Sequence, residues 1–372
     1  MKLFVSALEP SSNIHLQYLL KELKKHIDFD LYGVFSKDIE YGIPLYELEQ
    51  FSIMGFVDVF KKITFFLNAS NEMSKLALEC DKILLLDSSS FHIPLAKKIK
   101  KANPNKVIMY YILPQIWAWK PWRAKTIEKY FDKLAATLPF EISYYQAKAV
   151  FIGHPLLDEI THFRGDSSVE SNAESKDSRI LESNTKNLIT FMPGSRIGEI
   201  NRIFPIFREL KNILKKEDSN LVFNLVVPKH FKHRKIDEIY NDISDFNIVF
   251  DAQLSLYESK FAFICSGTAT LECAIIGTPF VLGYKAKKFD ALVVKNFLNI
   301  EYVGLANILY RKIHPDSLFH YEILQDKLTA KNLLDAYNKS KDDDFISKSL
   351  EIRKYLQYGS AKNVACWLLD KN

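Results

Sequence analysis

Short apolar runs of strand length alternate with longer stretches whose apolar residues recur at helical spacing. Residues 3–7 (Leu-Phe-Val-Ser-Ala) read as a buried strand, and Leu16, Leu19, Leu20 and Leu23 then mark one face of a helix. Further strands are expected at 31–35, 83–87, 107–113, 134–138 and 150–153. The same rhythm resumes at 188–192, 221–227, 248–250, 261–265 and 279–283. Near-continuous apolar strands separated by amphipathic helices predict parallel sheets covered on both faces, an α/β architecture. The rhythm occurs twice, so two Rossmann-like domains facing a cleft are expected. Their boundaries fall at 1–163 and 188–344, with a polar linker or loop at 164–187, rich in Ser, Asp, Glu and Asn. Helices complete the chain over 345–372, with Ser360 as the expected cap of the last one. These either cross back to the first domain or reach a partner subunit.

Length changes this picture little: 372 residues with 48% hydrophobic content suit two domains of ordinary globular composition. The net charge of +5 suits an anionic substrate or an anionic surface and is too weak to imply nucleic acid. Four scattered cysteines without a CxxC pair argue for reduced thiols and against a zinc site. The first apolar run is too short for a signal-peptide core. The run 107–119 is broken by Pro114 and Gln115 and is too short to span a bilayer, so a cytoplasmic location with surface membrane contact is expected.

No GxGxxG follows the first strand and no GxxxxGK[ST] occurs, which disfavours a dinucleotide-dependent dehydrogenase and a P-loop ATPase. Ligands of open α/β sheets bind beyond the carboxyl ends of the strands, and four turns there carry candidate chemistry. In the segment Cys265-Ser266-Gly267-Thr268-Ala269-Thr270-Leu271-Glu272 a strand ends and a helix begins. The amides of that first turn would hold a diphosphate, with Ser266, Thr268 and Thr270 adding hydroxyls. Glu272, expected in about the first turn, would accept from ribose hydroxyls; an ordinary capped helix with an acidic residue would read the same. The turn Pro193-Gly194-Ser195-Arg196 offers a second oxygen-binding corner, where Arg196 can present a bidentate fork, or can be a plain surface cation.

In the first half, Asp87 ends an apolar strand and could take a proton from a sugar hydroxyl, or merely cap the helix that follows. Glu9 lies after the first strand at the same sheet edge. Trp117, Trp119 and Trp122 stand within six residues beside Lys120, Arg123 and Lys125. They form either an apolar wall for acyl chains or a membrane surface, or ordinary core. His154 reads as a structural turn histidine. Basic clusters at 21–25, 61–62 and 97–101 beside Phe60, Phe65 and Phe66 could meet anionic lipid, or only solvate the surface.

In this order, the segments resemble the lipid-A-disaccharide synthase family, glycosyltransferases of the B-type fold. The resemblance rests on Ile53-Met54-Gly55-Phe56-Val57-Asp58-Val59, Pro114 to Trp119, Leu138-Pro139-Phe140-Glu141 and Gly153-His154-Pro155-Leu156. Pro193-Gly194-Ser195-Arg196, Ser266 to Glu272, Leu305-Ala306-Asn307 and Glu322-Ile323-Leu324-Gln325 complete it. It implies UDP-2,3-diacylglucosamine as donor and 2,3-diacylglucosamine 1-phosphate as acceptor. It further implies a β-1,6 product with inversion, no metal or other cofactor, a peripheral place on the cytoplasmic face of the inner membrane, and a homodimer. On this reading Asp87 is the base, aided by Glu9. Ser195, Arg196, Ser266, Gly267, Thr268, Thr270, Glu272, Asn307 and Gln325 bind the nucleotide, and Ser11, Asn13, Gln115 and Trp117 lie on the acceptor side.

The chain departs from the family pattern in two places. Gly-Glu-x-Ser-Gly-Asp becomes Leu8-Glu9-Pro10-Ser11-Ser12-Asn13, and Asp-x-Pro-Asp-Phe-Asn becomes Asp87-Ser88-Ser89-Ser90-Phe91-His92. The alternatives are a UDP-N-acetylglucosamine transferase or 2-epimerase of the same fold, or a non-catalytic nucleotide-sugar-binding or membrane-docking protein. UDP release in the presence of both acylated sugars separates them.

Overall fold

The structure, a computed structural model, describes residues 1–51, 56–165, 187–265, 267–286 and 301–371. Residues 53–55 of one family segment, Ser266, and most of the expected linker lie outside these. The chain divides into two compact units, Met1–Glu159 with Leu356–Asn372, and Ile160–Tyr355.

The first unit contains β1 (Lys2–Ala7), α1 (Pro10–Lys24), β2 (Asp30–Val34), α2 (Phe56–Glu79), β3 (Lys82–Leu86) and α3 (Ser89–Ala102). It continues with β4 (Ile108–Tyr111), α4 (Arg123–Tyr130), β5 (Lys133–Ala136), β6 (Ala149–Phe151) and α5 (Pro155–Glu159). Its six strands are all parallel, in the order β2-β1-β3-β4-β5-β6. Alternate residues of a strand face opposite ways, and both faces here are dry. Leu3, Val5, Leu84 and Leu86 pack with Leu16, Leu19, Leu20 and Leu23 of α1. Phe4, Ile83 and Leu85 pack on the other side with Met73 of α2, Leu95 and Ile99 of α3 and Ile127 of α4.

The second unit contains β7 (Leu188–Met192), α6 (Ile197–Glu217), β8 (Val222–Val226), α7 (Ile236–Tyr240), β9 (Asn247–Val249), α8 (Ala252–Glu258) and β10 (Phe261–Ile264). Then follow α9 (Thr268–Ile276), β11 (Phe280–Tyr284), α10 (Leu305–Ile313), β12 (Tyr321–Leu324), α11 (Ala330–Lys339) and α12 (Phe345–Leu356). Its sheet is again all parallel, in the order β12-β11-β10-β7-β8-β9. Phe191 stacks on Phe263 from the neighbouring strand, and Phe204 and Phe207 of α6 cover that face.

Every strand expected from the apolar runs is present, within two residues at either end. β12 was not expected: Tyr-Glu-Ile-Leu is short, half-exposed and on the sheet edge, so it carries no apolar run. Among the described residues no helix is long and apolar enough to cross a membrane.

Two local expectations are corrected. Ser360 does not cap the last helix, α13 (Ser360–Leu368); it is the buried first residue, bonded to Tyr111 Oη at 2.8 Å. The capping carboxylate comes instead from Asp158 in α5, which accepts from the Gly359 and Ala361 amides at 2.8 and 2.9 Å. Arg164, expected to open the linker, is anchored in the second unit, where its guanidinium donates to the Leu256, Tyr257 and Ser259 carbonyls at the end of α8. Orphan carbonyls at a helix end are natural partners for a buried cation.

Candidate active site

In each parallel sheet all carboxyl ends lie on one edge, and a crevice opens where neighbouring strands send their connections to opposite sides. The strand orders place that point between β1 and β3 in the first unit and between β7 and β10 in the second. Glu9 and Asp87 follow the two strands of the first point, and the turns at 193–196 and 267–268 follow those of the second.

In the second unit, β7 runs into Pro193 and Gly194. Gly194 has φ 114°, and an added Cβ would lie 2.9 Å from Glu199 Oε2, so both backbone and space call for glycine. Ser195 and Arg196 follow, exposed, with Arg196 Nη1 donating to Glu199 Oε1 at 3.1 Å. After β10, Gly267 adopts φ 116° and ψ −158° at the N-cap of α9, a region open essentially to glycine alone. It brings no side chain over the first amides of the helix. Gly267 and Thr268 are exposed, so the turn presents backbone donors outward.

Other predicted members of this set are placed differently. Thr270 is fully buried and its hydroxyl donates back to Gly267 O at 3.1 Å, so it braces the turn from within. Glu272 is the fifth residue of α9, half-buried in the second turn rather than the first. Asn307 is fully buried. Its Nδ2 donates to His320 O (3.0 Å) and Glu322 Oε1 (2.8 Å), and its Oδ1 accepts from the Phe319 and His320 amides. Both ends of that amide are thus spent on the protein, where they tie the start of α10 to the segment before β12. Gln325 directly follows β12 with φ 53°, half-buried on the same sheet edge. His230, in the turn after β8, hydrogen-bonds the Ser195 backbone; its pKa is lowered, chiefly by burial and then by Arg234. It was missed, although Pro228-Lys229-His230 follows a strand at its carboxyl end.

In the first unit, Glu9 is exposed at the N-cap of α1, with Ser11 exposed behind it. Asn13, expected on the acceptor side, is buried. Its Nδ2 donates to Ala7 O and Glu9 O at 2.8 and 2.9 Å, and its Oδ1 accepts from Ser36 N at 2.7 Å. It ties β1, α1 and the exit of β2 together, with its amide bonded within the chain. A carboxylate there would oppose two carbonyls, which is why an amide suits this chain.

Asp87 follows β3, beside β1, and does not simply cap α3. It has φ 53° and Ser88 φ 41°, two consecutive non-glycine residues in the left-handed region, costing on the order of 1–3 kcal/mol each. Burial raises its carboxyl pKa, against the opposing pull of the Ser88 amide and of His15. His15 in turn contacts the Glu159 carboxylate, a pair with no sequence signal because 144 residues separate the partners. After β4, Gln115 is exposed and Trp117 is half-buried against Phe140, its Nε1 donating to Glu141 Oε1 at 3.2 Å. Burial pushes the Glu141 carboxyl up to about 7, against the Leu138 amide and Trp117. His154 is buried and held neutral, and its Nδ1 accepts from Leu156 N, the structural role expected of it.

A family model described as lipid-A-disaccharide synthetase matches residues 3–367. The chain belongs to the lipid-A-disaccharide synthase family. A lipid-A-disaccharide synthase of Helicobacter pylori (strain Shi470) is 48% identical over 370 residues, covering 98% of this chain and 96% of that protein. One of Campylobacter jejuni (strain RM1221) is 43% identical over 374 residues, 98% of each. The chain is therefore a glycosyltransferase of lipid A disaccharide synthesis. Among solved structures it is similar to an S. aureus MnaA–UDP complex (TM-score 0.57, 15% identity, covering 100% of this chain and 96% of that one). It is also similar to a UDP-GlcNAc 2-epimerase from Neisseria meningitidis (TM-score 0.57, 11% identity, covering 100% and 99%). At such identities the likeness shows the B-type glycosyltransferase fold alone.

Proposed function

We propose that the chain joins UDP-2,3-diacylglucosamine to 2,3-diacylglucosamine 1-phosphate, giving the β-1,6 disaccharide 1-phosphate and UDP by one inverting displacement. Asp87 takes the proton of the acceptor 6-hydroxyl as that oxygen forms its bond to the donor's anomeric carbon. The bond from that carbon to the diphosphate oxygen breaks, and the electron pair leaves with UDP. Arg196, Ser195 and the amides at Gly267 and Thr268 hold the charge that gathers on the diphosphate, the largest electrostatic contribution expected. Glu272 and Gln325 border the nucleoside side. Glu9, Ser11, Gln115 and Trp117 border the acceptor.

The single observation that carries this reading is Asp87: a half-buried carboxyl whose pKa desolvation raises, at the switch point of its sheet, in a backbone conformation that costs energy to hold. An upward shift moves a carboxylate toward the basicity that proton abstraction calls for. Membrane contact is proposed at Trp119 and Trp122, which are exposed, with Lys120 Nζ 5.0 Å from the Trp119 ring and Arg123 adjacent.

The test is to incubate the purified chain with both acylated sugars and to follow free UDP and disaccharide mass. Both should appear together, and Asp87→Asn should lose turnover while donor affinity stays. Near-normal turnover in that variant would refute the base assignment.

A further inference from the structure

The peptide that follows Asp87 is pinned from two sides. Asp87 O accepts from His92 Nδ1 at 2.8 Å and from Tyr110 Oη at 2.8 Å, so both carbonyl lone pairs are used. The Asp87 amide donates to Tyr111 O at 3.1 Å. A carbonyl only accepts, so His92 Nδ1 carries the proton and Nε2 is bare. Ser6 Oγ, 2.8 Å from Nε2, therefore donates to it and sets the tautomer. His92 is fully buried in α3 and burial lowers its pKa to about 4, so it stays neutral and takes no proton in the reaction.

We propose that His92, with Tyr110, is a positioning residue: the two donors lock the left-handed turn at Asp87 and Ser88 so that the Asp87 carboxylate leaves β3 in one orientation. This rests on the reading of Asp87 as the base. Without the donors, the two residues relax toward ordinary backbone conformations and the carboxylate turns with them. An Asn amide nitrogen can occupy the place of imidazole Nδ1, whereas a Gln amide nitrogen reaches the place of Nε2 and leaves the carbonyl without that donor.

The two amides therefore separate positioning from packing. In the full-length chain at saturating substrates, His92→Gln should lower kcat by about 10²-fold, the scale of a misplacement near 1 Å. KM for either sugar should change less than about threefold, because the substrate contacts themselves remain. His92→Asn should restore kcat to within about tenfold of the parent, although its melting temperature falls as far as that of the Gln variant. Tyr110→Phe keeps the ring packed on Phe131 and removes only the hydroxyl, so it reads the second donor even if a His92 variant does not fold. Its kcat should fall by about fivefold to tenfold, again without a matching change in KM. Equal kcat loss in the Asn and Gln variants, or parental kcat in His92→Gln or Tyr110→Phe, would overturn the inference. Asp87→Asn run alongside keeps the two readings apart: if that variant retains parental kcat, the base assignment has failed rather than the positioning role.

Discussion

The two sheet edges solve different chemical problems with different materials. At the edge of the second unit, the turns after β7 and β10 are made by Gly194 and Gly267, and the residues beside them are exposed. A diphosphate is large, charged and delocalised, so outward-facing amides and one guanidinium meet it well. At the edge of the first unit, the turn after β3 is made by Asp87 and Ser88 without glycine. It is held by His92, Tyr110 and Tyr111, and the carboxyl is largely desolvated. A proton acceptor needs one orientation and a raised pKa; the buried hydrogen bonds fix the first and desolvation supplies the second. Gripping charge needs open backbone, whereas tuning a base needs closed packing.

The contrast breaks most visibly at Asp87. Asp87→Asn keeps the shape of the turn and removes the base, so kcat should fall by about 10²–10⁴-fold with donor KM little changed, measured by UDP release. Arg196→Ala comes next: losing one charge-stabilising donor should lower kcat by about 10²–10³-fold. Arg196→Lys should recover only part of that, because an ammonium lacks the planar fork.

The buried character of the first edge is sharpened by Glu141. Its carboxyl titrates near 7 when folded against an ordinary 4.5, so between these values the folded chain binds the extra proton. Unfolding free energy should therefore decline as pH rises from about 5 to about 7, by roughly 3 kcal/mol, and level off above. Urea titrations at several pH values measure it, and Glu141→Gln should remove that slope. At the glycine-built edge, Gly267→Ala meets open space but an unsuitable backbone, and should cost roughly 1–3 kcal/mol of stability and weaken UDP binding. A gain in stability there would contradict the backbone argument. Asn307→Ala, which empties a buried amide site, should lower stability by roughly 1–3 kcal/mol in the same assay.

The fold was legible because a strand buried on both faces must be largely apolar, as β3, β4, β10 and β11 are. β12 escaped because Tyr-Glu-Ile-Leu is half-exposed on the sheet edge and carries a charge within it, which breaks the apolar run. The glycine turns were legible as well, since Gly at a strand end advertises an unusual backbone. What could not be read was direction. Asn13, Thr270 and Asn307 have the right chemistry at the right places, yet each bonds to its own chain. Nor could partners far apart in sequence be foreseen: Asp158 caps a helix 201 residues on, and Ser6 sets the tautomer of His92 from 86 residues away. Such pairings are made by the sheet, which brings strand ends together only after folding.

The division of labour between the two edges is tested most directly by titrating the ¹⁵N-labelled chain with UDP and following backbone amides. The account predicts large shifts at residues 194–198 and 267–271, with Asp87 and its neighbours nearly still. Shifts centred on the end of β3, with the two glycine turns unmoved, would contradict it.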